Sequence, residues 1–166
     1  MTSDWPTRLL RAWLITAVSD AIFSSALVKF AYGSSVTRLW QGVASVPLGP
    51  SALEGGTRTM LIGLALHACV AFTWTAVFLV LYSSVGWLRA VTSSWTGVIG
   101  TGVVYGPLIW MIMSFVVIQS FTHRPPAINF RWWVQWFGHI PAVALPIVAS
   151  ISSRRATAAV PVRALA

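Results

Sequence analysis

Residues 59–83 read TMLIGLALHACVAFTWTAVFLVLYS, an apolar run without a Lys, Arg, Asp or Glu. A helix needs about 20 mostly apolar residues to cross a bilayer, so this stretch is long enough for one span. Within it, His67 sits between Gly63 and Ala71 at four-residue spacing, a small–His–small stripe on one helical face.

Three further runs match it, at about 12–32, 95–120 and 132–152, each bounded by charge, aromatic residues or Gly/Ser punctuation. The whole chain has 166 residues, of which 57% are hydrophobic and 8% charged. A soluble domain carries about 25% charged residues and cannot hide this much apolar surface. Lipid is the solvent that accepts it. The expected fold class is therefore all-α, an integral membrane four-helix bundle. The first run begins like a signal peptide, with Arg8 and Arg11 ahead of apolar residues, but it contains Asp20 and ends in Val28-Lys29-Phe30. It reads as a span.

Residues 33–57 form the longest loop. There Val36, Leu39, Trp40 and Val43 share one face, which predicts a short interfacial helix. Trp132, Trp133 and Trp136 suit one aromatic belt, and Trp87 with Trp95 the other. The short second and third loops predict antiparallel neighbours. The division expected is a single transmembrane domain over 1–155 and a short basic tail over 156–166. Cytoplasmic termini put Arg8, Arg11, Arg89, Arg154, Arg155 and Arg163 inside against Lys29, Arg38, Arg58, Arg124 and Arg131 outside, a small positive-inside excess. The net charge of +8 follows span ends, so it points to lipid headgroups and not to nucleic acid. Cys69 is the single cysteine, which excludes an intrachain disulfide.

Asp20, Gln41-Gly42-Val43-Ala44-Ser45, Gly55-Gly56, Gly63-Leu64-Ala65-Leu66-His67, Tyr105-Gly106-Pro107, Gly138-His139 and Leu145-Pro146 recur along the chain in an order that resembles a family of small, uncharacterised bacterial four-helix inner-membrane proteins. The loop departs from that pattern, with Val43-Ala44-Ser45-Val46 where Ile-Ala-Ser-Gly is expected. The resemblance implies the fold and an inner-membrane location. It implies no catalytic residue.

Ionisable groups inside a span are costly and mark functional candidates. Setting aside Lys29, which can snorkel to the interface, three qualify: Asp20, His67 and His139. Counted from Arg11 or Lys29, Arg58 and Arg131, they lie roughly 12–13 Å deep at about 1.5 Å per residue. The second and fourth spans run in the same direction, so the three can meet near the midplane. Thr16, Asp20 and Ser24 form a polar stripe, Gln135 shares a face with His139, and Ser114 is a mid-depth partner from the third span. Gly97, Gly100, Gly102 and Gly106 permit close helix approach. Pro107, Pro141 and Pro146 each free a carbonyl one turn upstream.

This cluster supports several readings. Asp20 and the histidines can simply hold the helices in register, within a binding, scaffold or subunit protein that has a homo-oligomeric or membrane-complex partner. Asp20, His67, His139 and Ser114 can instead form a proton or polar relay for a proton or small-solute transporter. His67 and His139 can also be the axial ligands of a single b-type haem in an electron-transfer subunit. A metal site is disfavoured because no second carboxylate and no short ligand spacing is present. His123, in Thr122-His123-Arg124-Pro125-Pro126, reads as a solvated loop residue. No nucleophile elbow, Walker loop or dinucleotide fingerprint occurs.

Overall fold

The computed structural model describes residues 4–153. These are helical, without a strand among the described residues: α1 (Trp5–Ala31), α2 (Val36–Leu48), α3 (Gly56–Ser84), the short α4 (Gly86–Val91), α5 (Trp95–Thr122) and α6 (Phe130–Ser152). Helices α1, α3, α5 and α6 are each long and apolar enough to cross a membrane. The basic tail expected at 156–166, and Arg154 and Arg155 before it, lie outside the described residues.

Local chemistry sets the ends. Pro6 opens α1, where its missing N–H costs nothing, so the helix starts at Trp5 and not at the predicted residue 12. Arg11 is held on the extra turns, its guanidinium donating to the Ser150 carbonyl at 2.7 Å and to Ser153 Oγ at 2.6 Å. Ser35, Ser94 and Asn129 cap α2, α5 and α6 by accepting from the amides of Arg38, Gly97 and Trp132. His123 ends α5 in the left-handed conformation, φ 53°, and is exposed. At the other end of α6, Arg131 lies 4.4 Å over the Tyr32 ring and ties α6 to the end of α1.

Helix α6 packs between α1 and α5, and α3 packs on α1 and on α2. The consecutive helices α3 and α5 do not lie along one another as their short connection predicts. They meet through Tyr105, whose hydroxyl donates to the Trp74 carbonyl at 2.8 Å and whose ring tilts against Phe78 at 5.1 Å. A bulky aromatic bridge holds the two backbones apart.

The packed core lies toward the start of α1 and the end of α6, where Ala12, Phe78, Ile109, Ala144, Ile147, Val148 and Ile151 are almost fully buried. Away from that core many large apolar side chains face outward, among them Ile22, Val80 and Val104 at 65%, 63% and 69% exposure.

Helix α2 covers the opposite half. Its predicted face turns inward: Trp40 is buried, and Leu39 and Val43 are half-buried. Gly63 makes this possible, because a Cβ there would collide with the Trp40 carbonyl. Gln41 donates to the Gly56 carbonyl at 3.1 Å and Arg38 to the Leu53 carbonyl at 3.0 Å. The expected belts differ in one member. Trp87 and Trp95 are exposed and Trp133 is partly so, whereas Trp132 is 8% exposed. It turns inward because its indole N–H has an acceptor there, donating to Ser114 Oγ at 3.3 Å.

Candidate functional site

Beneath α2, in the half without the packed core, α1, α2, α3, α5 and α6 surround a cavity of about 580 Å³. Drug-sized ligand sites fall in the range of about 300–1,000 Å³. Its walls are mostly aliphatic and aromatic, with indoles from Trp40, Trp74 and Trp110, and it contains Asp20, His67 and His139 from three different helices. Ile109 and Val143 belong both to the cavity wall and to the packed core, so the core closes one end.

His67 is fixed from several sides. Its Nε2 lies 3.1 Å from the Ala17 carbonyl. A carbonyl only accepts, so Nε2 carries a hydrogen and donates. Its Nδ1 lies 3.6 Å from Asp20 Oδ2, ion-pair separation and beyond a good hydrogen bond. Trp40 packs on the ring with centroids 5.0 Å apart. Asp20 also accepts a long bond from Ser24 Oγ at 3.5 Å, one turn on. With Nε2–H directed at the Ala17 carbonyl, Nδ1 is the nitrogen that faces the Asp20 carboxylate.

His139 is oriented by its own helix. Its Nδ1–H donates to the Gln135 carbonyl at 2.7 Å, and Trp110 flanks the ring at 5.1 Å. Gly106 lets α5 approach, since a Cβ there would lie 2.7 Å from the His139 carbonyl oxygen. Just beyond, Pro141 falls in a π-helical turn over Ile140–Ala144, and α5 has another over Met113–Ile118. Such turns widen a helix and recur at functional sites. No protein group among the described residues bonds His139 Nε2, and none pairs with Thr16 Oγ1 or Trp110 Nε1, both buried. Thr16, Trp110 and His139 all line the cavity. An unmet buried polar group costs about 1–3 kcal/mol.

The structure thus brings Asp20, His67 and His139 to one cavity but leaves Ser114 out of it. Ser114 is engaged by Trp132 and donates weakly to the Met111 carbonyl at 3.4 Å. Sequence reasoning missed Trp74 and Trp110. A signal was present, because Trp prefers membrane interfaces and these two fall in mid-helix.

The haem expectation does not fit these residues. Both nitrogens of His67 face protein acceptors, and Trp40 covers its ring, so no lone pair is presented to an iron. Among the described residues no three His, Cys, Asp or Glu side chains are placed to share a metal ion.

No family model, curated protein or solved structure matches the chain. The functional reading therefore rests on the chemistry of the cavity.

Proposed function

We propose that this chain is an integral four-helix bundle of a bacterial-type inner membrane, with cytoplasmic termini and α2 lying at the interface, and that its activity is binding. A small, mostly apolar molecule enters the cavity beneath α2 and is held by a polar group at Asp20, His67 and His139. One observation carries this reading: Asp20, His67 and His139, deep in three different apolar helices, converge on one ligand-sized cavity. Outward-facing Ile22, Val80 and Val104 support insertion in lipid, because soluble monomers rarely expose such contiguous apolar surface. The same outer faces leave room for a homo-oligomeric or membrane-complex partner, so a scaffold or subunit role is compatible with binding.

A lipophilic fluorescent dye such as N-phenyl-1-naphthylamine, titrated into purified protein in nanodiscs, tests the reading. Saturable binding at one site per chain is expected. Gly42 faces open space at the cavity wall, so Gly42→Phe fills the cavity and should abolish that binding. Equal binding by the variant places the dye elsewhere and removes the proposal.

A second reading, proton-coupled movement of a small solute, draws on the 3.6 Å approach of two titratable groups, Asp20 and His67, at the cavity. It requires the packed core beyond Ile109 and Val143 to part. Proteoliposome flux that depends on pH and disappears in Asp20→Asn would move the assignment to transport.

A further inference from the structure

The polar atoms open to the cavity narrow the ligand's chemistry. His139 Nδ1 is committed as a donor to Gln135, and among the described residues His67 is the histidine within ion-pair distance of Asp20. A charged His139 would lie buried in a mostly apolar cavity, 8% exposed, which is costly. Its ring is therefore neutral, and Nε2 is a lone-pair acceptor without a protein donor. His139 is 8% exposed and lines the cavity, and Asp20 and His67 keep 14% and 13% side-chain exposure beside it. The Asp20 carboxylate, beside His67, adds acceptor capacity. A cation entering here meets Arg38 on the cavity wall, and an anion meets the Asp20 carboxyl and the Nε2 lone pair. A neutral hydrogen-bond donor meets neither difficulty. Three indoles and aliphatic walls then select the remainder of the molecule, because flat aromatic bodies stack well on indole faces.

We propose, resting on the binding reading above, that the ligand class is a lipophilic phenol, the hydroquinone headgroup included, whose hydroxyl donates to His139 Nε2 while its ring lies among Trp40, Trp74 and Trp110. The hydroxyl oxygen keeps lone pairs free, so the same group can accept from the cavity's unpaired donors, Trp110 Nε1–H and the Thr16 hydroxyl, if a small rotation brings either to it. An ether of the same shape loses the donated bond.

The test is a matched pair, 4-hexylphenol and 4-hexylanisole, competing against the fluorescent dye in nanodiscs. Taking the ratio of the two affinities in wild type and again in His139→Phe cancels their different partitioning into lipid. The phenol preference is expected to be about tenfold larger in wild type, the size of one hydrogen bond to an acceptor that has no protein donor. Equal ratios overturn the inference and leave the binding reading standing, whereas failure of the dye itself to bind saturably removes both. Wild-type protein labelled with ¹⁵N-histidine supplies a measurement that needs no variant: the His139 Nε2 resonance should shift with the phenol and not with the anisole. A shift with both, or with neither, overturns the proposal. So does tighter binding of 4-hexylbenzoate or 4-hexylbenzylammonium than of the phenol, which would assign the site to an ion.

Discussion

At the residue scale, the polar groups of the cavity differ in how well they are satisfied, and this separates their roles. Thr16 Oγ1 is buried without a partner, so Thr16→Val, which keeps the shape and removes the hydroxyl, should stabilise the protein by about 1 kcal/mol. Thermal unfolding in detergent checks the sign, and a clear drop in Tm would mean that a structural partner, protein or water, satisfies the hydroxyl. Asp20→Asn removes half of an ion pair whose other half, His67, is also bonded to Ala17. The expected loss is about 1–2 kcal/mol, as for other interhelical polar contacts. Asp20, His67 and His139 were legible as candidates because an ionisable residue in an apolar run stands out. Ser114 was misplaced for a definite reason. Depth along a helix can be counted, but which neighbour supplies a partner depends on rotation about the axis, and Trp132 reaches Ser114 first.

At the element scale, α2 is held less by its own residues than by a gap in α3. Gly63 provides that gap. Gly63→Val should therefore lift α2 off α3, make the Arg38 peptide bond more sensitive to trypsin, and speed the exchange of dye with the cavity. Gly42→Ala, on α2 itself with nothing within 4 Å of an added Cβ, should leave proteolysis unchanged. Similar cleavage of wild type and Gly63→Val would show that α2 is anchored elsewhere, with Gln41 and Arg38 the remaining candidates. The sequence carries α2's amphipathic period plainly, but not what its apolar face covers. Periodicity says which residues share a face and is silent on whether lipid or protein lies against it. The four long helices were legible to within a few residues except at the start of α1, where Arg8 and Arg11 masked a helix that Pro6 begins earlier.

For the whole molecule, the order of helices puts the α2 loop and the α4 loop at opposite ends. Starting from a Cys69→Ser background, Ser51→Cys should react with an impermeant maleimide in intact cells, and Ser93→Cys only after permeabilisation. The reverse pattern inverts the proposed orientation, and labelling of both from one side contradicts four spans. The unequal filling of the two ends was not legible in the sequence, because apolar residues are spread evenly along all four runs. It arises from packing: Phe78, Ile147 and Ile151 interlock at one end, while Tyr105 props α3 from α5 near the middle.

That closed end has a kinetic meaning. A ligand lodged against Ile109 and Val143 faces a floor, so it leaves on the side away from the packed core, where α2 lies. Entry and exit are then a single-file exchange with one occupant at a time, and an incoming molecule cannot push the resident out from behind. In a chase experiment the bound dye should depart with one rate constant that stays the same however much competitor is added, set by how often α2 lifts. Loosening α2 would raise that constant and the association rate together, and would change the equilibrium affinity far less than either rate.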